Sequence, residues 1–267
     1  MTSSNIPHPL VVTREQWLVE RKKLLTHEKE LTKHSDHVNA ERRQLPMVKI
    51  DKDYVFDGPN GKQNLGSLFE GRRQLIVYHF MFDPSWDKGC PACTGHVNAI
   101  GDLSRLNDLD TTFVLVSRAP LPKLQAYKAE KGWKLPWFSS FGSDFNYDFH
   151  VTNDEEVAPV EYNYRNKAEL EASGAPNAMK GEEHGLSVFF NLGDDVFHTY
   201  SVYARGTEPL TNARSLLDVT PYGRQQHFRG LPTRLASATD LWISGETRVA
   251  PVLYTRHSAI PSVPTFG

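Results

Sequence analysis

Cysteine is scarce in this chain: two of 267 residues, Cys90 and Cys93, against a full complement of other types. Two thiols exclude a disulfide framework and a structural zinc site built on four cysteines. Long apolar runs are missing as well. The longest, Leu75 to Phe82, spans eight residues and contains a histidine, whereas a membrane-spanning helix needs roughly 20 apolar residues. Nor is there an excess of one charge: 30 basic residues face 32 acidic ones, for a net charge of -2. That leaves no broad cationic field for nucleic acid or an anionic membrane. The short clusters Arg21-Lys22-Lys23 and Arg42-Arg43 lie in an equally acidic stretch, as expected of solvated helix faces. The N-terminus offers neither a basic n-region nor an apolar h-region, so a secretory leader is not expected and the cytoplasm is the expected location. Glycine-rich phosphate loops and Gly-x-Ser-x-Gly are also absent, which removes support for nucleotide and serine-hydrolase chemistry.

What is present suffices for a folded core: 39% apolar and 11% aromatic residues exceed what a disordered chain carries. The two cysteines form one Cys-x-x-Cys, a separation that random placement would give roughly once in a hundred chains. In a reducing compartment such a pair points to redox chemistry or metal ligation rather than a staple.

The apolar pattern divides the chain. Thr13 and Gln16 make a capping box at the head of a charged stretch running to about Gln44. Trp17, Leu24, Leu25, Leu31 and Val38 supply a sparse apolar stripe, so residues 1–46 read as a helical extension that packs on the body by that stripe and stops at Pro46. From Met47 the period becomes strand-like, with a turn at Asp57 to Gly61. Leu75 to Phe82 reads as a central strand covered on both faces, and a helix is expected from about Pro91 to Leu106. Thr112 to Ser117 is a second buried strand, and Leu121 to Lys131 a helix ending near Gly132. This succession is that of βαβ units in a largely parallel sheet. Residues of about 151–184 read as an inserted excursion, followed by a hairpin of Leu186 to Phe190 and Val196 to Tyr200. Residues 225–267, proline-rich and aperiodic, read as a C-terminal tail.

The segments Leu75-Ile-Val-Tyr-His-Phe-Met-Phe82, Gly89-Cys-Pro-Ala-Cys93, Phe113-Val-Leu-Val-Ser-Arg-Ala-Pro120, Trp137-Phe-Ser-Ser-Phe-Gly-Ser-Asp-Phe145 and Val196-Phe-His-Thr-Tyr-Ser-Val-Tyr-Ala-Arg-Gly206 resemble the bacterial thioredoxin-like proteins catalogued as a domain of unknown function. The resemblance runs from about Arg14 to Arg224. It implies an α/β, thioredoxin-like domain over residues 47–224, with a central mixed sheet, an added N-terminal helix and a C-terminal hairpin and tail extension.

A Cys-x-x-Cys at a helix start, directly after a buried parallel strand, has a physical logic. The helix N-terminus offers unpaired N–H groups and the positive end of its dipole, which lower the first thiol's pKa. Cys90 is therefore the expected nucleophile and Cys93 the resolving thiol, with Pro91 at the first helical position. The resemblance to thioredoxin places His79, one residue before Phe80, where thioredoxins hold a buried carboxylate. That implies a general base for Cys93, with a plain core histidine as the alternative. Trp86 is a candidate pocket wall, Arg118, at a strand's C-terminal edge, a candidate anchor for an anionic substrate, and His184 a further candidate for substrate binding.

Two features depart from thioredoxin. Seven residues separate Phe82 from Cys90, and the place of its cis-proline is taken by His184-Gly185. The second change opens a metal reading in which Cys90 and Cys93, with His79, His184 or His198, hold zinc or copper. Cys90-x-x-Cys93-x-x-His96 adds His96 by spacing, although the solvated side of the helix is its expected place. A c-type haem is excluded because Thr94 follows Cys93. The order of elements also resembles that of peroxiredoxins, but their Pro-x-x-x-Thr-x-x-Cys motif fails: Pro84 lies six residues before Cys90, and Asp87 occupies the threonine position.

The function expected is thus that of a dithiol/disulfide oxidoreductase without a cofactor, acting on a thiol or disulfide substrate. The alternatives are a zinc or copper protein, a peroxide reductase and a non-catalytic binding module. Among partners, neither nucleic acid nor membrane is expected, and association with a second copy is left open.

Overall fold

Thr13 accepts from the backbone N–H of Gln16, whose side chain answers the N–H of Thr13, and this reciprocal cap starts helix α1, Arg14–Arg42. The computed structural model describes residues 9–173, 180–221 and 224; the expected tail, 225–267, lies outside them, as does part of the expected excursion. Helix α1 corrects the first expectation, because it buries no residue. Trp17 is 44% exposed and Leu31 68%. The stripe is a single row at seven-residue spacing, too narrow to seat a helix on a core, which takes a wider apolar face. What holds the helix is its cap and internal pairs such as Lys23 with Glu20 at 2.7 Å. Near its end the Arg42 guanidinium lies 5.5 Å over the Tyr200 ring.

Strand β1, Val48–Lys49, follows, then the hairpin of β2, Val55–Gly58, and β3, Gly61–Asn64, and a 3-10 turn at Gly66–Phe69. Next come β4, Gln74–His79, helix α2, Pro91–Ala99, helix α3, Ser104–Asp108, and β5, Thr111–Ser117. Helix α2 stops about two turns short of expectation because Ile100 is extended, and the Asp102 carboxylate accepts the Ser104 N–H at 2.9 Å to start α3 separately. Helix α4, Leu121–Lys131, ends at Gly132, and β6 covers Trp137–Ser139.

After α5, Phe145–Asp148, the excursion holds β7, Thr152–Asn153, β8, Glu161–Tyr162, β9, Arg165–Asn166, α6, Lys167–Ala172, and β10, Gly181–Glu182. Strands β11, Gly185–Leu192, and β12, Asp195–Tyr203, form the expected hairpin; a 3-10 segment, Ala204–Leu210, and α7, Asn212–Asp218, complete the described chain.

Eight strands pair in the order β1-β12-β11-β4-β5-β6-β2-β3. Strands β4, β5 and β6 are parallel, while β11 runs antiparallel to both β4 and β12. The order β12-β11-β4-β5, with β11 reversed and a helix crossing from β4 to β5, is the thioredoxin-like core. Val12–Arg224 forms one compact unit, and no helix among the described residues is long and apolar enough to cross a membrane.

Strand β4 divides two cores, because alternate side chains leave it on opposite faces. Leu75 and Val77, both 0% exposed, join Phe56, Phe145, Phe149 and Phe189 on one face. Tyr78 and the following Phe80 join Phe82, Cys93, Leu124 and Trp137 on the other. Each such side chain contributes roughly 1.5–3 kcal/mol by leaving water. The polar groups carried inside are paired: Ser117 donates to the Phe80 carbonyl at 2.6 Å and accepts from the Trp137 indole at 3.0 Å.

Candidate functional site

The site is assembled at the C-terminal ends of the parallel strands, where ligands of such sheets collect. Beyond β4 the chain stays pinned to β5, with the Ala119 N–H on the Phe82 carbonyl at 2.8 Å. The seven-residue loop then folds back on itself. Asp83 accepts from the Ser85 N–H and hydroxyl, and Lys123 of α4 donates to the Pro84 and Trp86 carbonyls, both at 2.8 Å. The Cys90 N–H returns to the Met81 carbonyl at 3.0 Å. The length that separated this chain from thioredoxin is thereby absorbed, and the dithiol still begins beside the strand end. Gly89 is required there: a Cβ on it would lie 2.6 Å from the Phe80 ring.

Cys90 is the N-cap of α2 and Pro91 its first residue. The Cys90 sulfur is half-buried and that of Cys93 buried, both as free thiols. Hydrogen bonding from Cys93, with the backbone N–H groups of Cys93 and Ala92, draws the Cys90 thiol down to about 6 against the opposing effect of burial. The Cys93 thiol is pushed well up, by its hydrogen bond to Cys90 and by burial. The two thiols have therefore been driven apart into a thiolate and a protonated neighbour, the division expected of a nucleophile and a resolving thiol.

Tyr78 lies beneath Cys93, its hydroxyl hydrogen-bonded to the sulfur and its own ionisation suppressed by burial. The His96 ring stacks on Tyr78 at 4.5 Å and 2°. Across from the dithiol runs the segment 182–185. Glu182 pairs with Arg118 at 2.7 Å and accepts from the Thr152 hydroxyl. Glu183 carries a carboxyl raised to about 7, first by burial and then by the charge of Cys90, against a hydrogen bond from Tyr162. His184 is held by the Tyr162 hydroxyl on its carbonyl at 2.9 Å and by its own Nε2 on the Ala204 carbonyl at 3.2 Å. Gly185 admits no side chain, since a Cβ would meet the Tyr203 ring at 2.6 Å.

The structure brings together Cys90, Cys93 and His184, with Trp86 packed half-buried on the same cluster as Cys90. It separates His79 from them. His79 leaves β4 on the face opposite Tyr78, among Phe145 and Phe149. Its Nε2 shares a 2.9 Å hydrogen bond with Ser187, which continues through Ser201 to His198. Burial lowers the His79 pKa to about 3, so its environment keeps it neutral, and strand alternation keeps it away from Cys93. His198 shares that opposite face. His96 is a correction of another kind: it is 3% exposed and faces inward. Arg118 is committed to Glu182 and lies over the Tyr147 ring at 5.1 Å, which leaves it a buttress of segment 182–185 rather than a free anion anchor.

For the metal reading, the residues do not converge: among the described residues no group of three or more His, Cys, Asp and Glu is placed to hold a metal ion. Three further residues stand near the dithiol without a role assigned from the sequence. Tyr78 was signalled by alternation with Phe80, Glu183 by its place just ahead of His184, and Arg214 of α7 by nothing local.

These features define a thioredoxin-like protein with a Cys-x-x-Cys at a helix start. The chain belongs to the family described as "Bacterial protein of unknown function (DUF899)", whose model matches residues 6–245. No curated protein matches it. Solved structures that resemble it include the Xanthomonas campestris bacterioferritin comigratory protein, described in terms of alkyl peroxide reduction (13% identity, 58% of this chain and 84% of that one, TM-score 0.38). Others are the Xylella fastidiosa peroxiredoxin Q (13%, 61% and 88%, TM-score 0.38) and a secreted Mycobacterium tuberculosis disulfide oxidoreductase homologous to E. coli DsbE (12%, 61% and 94%, TM-score 0.33).

Proposed function

We propose that the protein is a thiol–disulfide oxidoreductase in which Cys90 attacks and Cys93 resolves. The observation that supports this reading is the placement of the two thiols: Cys90 half-buried at the N-cap of α2, where the helix start draws it down to about 6, and Cys93 buried one turn on, where it is pushed up. The thiolate of Cys90 attacks one sulfur of a disulfide, and the substrate's S–S bond breaks as the Cys90–substrate bond forms. One substrate thiol leaves with the electron pair. Cys93 then gives up its proton and attacks the Cys90 sulfur, which releases the second thiol and leaves a Cys90–Cys93 disulfide. Two electrons pass from the protein to the substrate. The Tyr78 hydroxyl donates to the Cys93 sulfur as it becomes anionic, and Glu183, whose carboxyl feels the charge of Cys90, is the group assigned to take up the proton. The raised pKa of Glu183 suits an exchange near neutrality.

The test is reaction of the reduced protein with 2-hydroxyethyl disulfide, followed by released thiol and by mass. Wild type should release two thiols and end two hydrogens lighter. Cys93→Ser should stop at a mixed disulfide on Cys90, and Cys90→Ser should lose at least a hundredfold in rate. An undiminished rate in Cys90→Ser removes the reading.

A further inference from the structure

Behind the dithiol lies a cavity of about 220 Å³ whose wall includes Tyr78, Cys93, His96, His184, Glu208 and Arg214. Its size is below the several hundred Å³ of drug-sized sites, enough for a fragment of a few heavy atoms and too small for a polypeptide side of any length. Its electrostatics are lopsided. Glu208 is already engaged by Arg224 at 2.6 Å and by Arg205 at 3.4 Å. Arg214 is half-buried, and among the described residues it has no carboxylate partner. Among those residues its guanidinium meets the Nδ1 of His96 at 3.5 Å. Both histidines are held neutral by burial, with the charge of Arg214 as a further cause. A guanidinium lining a concave site in which the one carboxylate named, Glu208, is taken by two other arginines, and flanked by the neutral His96 imidazole and by Tyr78, matches the forked geometry of a carboxylate.

We propose that this cavity receives the carboxylate of a low-molecular-weight thiol or disulfide, with Arg214 as the specificity-determining residue. The substrate class follows from the placement. Cys93 forms part of the wall, and Cys90, one helical turn earlier, packs on the same cluster as Cys93, so an anionic arm seated on Arg214 holds the attached sulfur on the side of the dithiol from which Cys90 can attack it. His184-Gly185 stands where a protein-disulfide reductase shapes its peptide groove. The substrate assignment rests on the redox reading above; the binding of the anion does not.

The experiment uses the full reduced chain and an unreactive thioether probe, (methylsulfanyl)acetate, CH3–S–CH2–COO−, with (methylsulfanyl)acetamide as its neutral counterpart. The readout is the set of ring resonances of His96 and Tyr78. Saturable shifts are expected with the acid, at least tenfold weaker binding for the amide and for Arg214→Gln, and partial recovery in Arg214→Lys. Cys90→Ser should bind the acid like wild type. In turnover, dithiodiglycolate should be preferred over 2-hydroxyethyl disulfide by tenfold or more, and Arg214→Gln should lose that preference. Acid binding that survives in Arg214→Gln, or no saturable binding, overturns the proposal. Should Cys90→Ser keep its turnover while the acid still binds through Arg214, the redox reading fails and the anion site stands.

Discussion

Single residues at this site were legible to different depths. Cys90 and Cys93 could be assigned from spacing, because the chemistry of a helix N-terminus depends only on where the helix starts, and Pro91 marks that start. His79 could not be, because its role turned on which face of β4 it leaves, and a strand buried on both faces carries no polar alternation to reveal that. Arg118 was visible as a strand-end arginine, but its partner Glu182 is 64 residues away in the chain. That pair carries a prediction. The Glu182 side chain is 1% exposed and that of Arg118 21%. Burial lifts the Glu182 carboxyl to about 7 in spite of the arginine, so the ion pair is retained at a desolvation cost. Breaking such a pair from one side strands the other charge. Glu182→Ala should lower stability by about 3 kcal/mol, read as a reduced midpoint in urea, with the Arg118→Ala, Glu182→Ala double variant less destabilised than the sum of the two singles. Additive losses would show that the two side chains do not act as a pair.

Among the elements, those defined by local chemistry were readable: the capped start of α1, the glycine-terminated α4 and the β11–β12 hairpin, whose strands run past the expected five-residue connection of 191–195 to pair up to Leu192 and Asp195. The break between α2 and α3 was not, since Gly101 lies against Asn212, a residue distant in sequence. The packing of α1 failed for a related reason: a row of leucines states that a helix can bury a stripe, not that a partner surface exists. Leu24 is 51% exposed and Leu31 68%. In the isolated chain Leu24→Ala and Leu31→Ala should therefore each change stability by less than about 0.5 kcal/mol, where core leucines such as Leu75 or Leu115, both 0% exposed, should cost about 2–5 kcal/mol when cut to alanine. Denaturant unfolding at low protein concentration separates the two cases. A loss above about 2 kcal/mol in Leu31→Ala would mean that the stripe is covered in solution.

For the whole molecule, the proposed exchange between the Cys90–Cys93 dithiol and its disulfide ties redox state to stability with a definite sign. In the folded reduced protein the Cys90 pKa is depressed from 9.0 to about 6. A depressed acid contributes stability that is fully present above its unfolded pKa and is lost as pH falls through the folded one. The reduced form should therefore gain stability as pH rises from about 6 to 9, whereas the oxidised form, with no thiol to ionise, should not. Glu183 acts oppositely: its raised pKa costs stability as pH climbs, but that change ends near 7. Cys93, raised above 9.0, contributes no slope until more alkaline pH. The window from pH 7 to 9 thus isolates Cys90. After allowance for screening at a half-exposed sulfur, the reduced-minus-oxidised difference in unfolding free energy should grow by on the order of 2 kcal/mol across it. Paired urea titrations of the oxidised and reduced forms at pH 7, 8 and 9 read the difference directly, and Cys90→Ser, which cannot form the thiolate, should show no such slope against its own Cys93-alkylated form. Because a thiolate favoured by the fold stabilises the reduced protein, the same slope makes the Cys90–Cys93 disulfide a better electron acceptor as pH rises through this window relative to an unfolded dithiol. A flat difference between pH 7 and 9 would mean that the helix start does not hold Cys90 as a thiolate, and would remove the physical basis for its nucleophilic role.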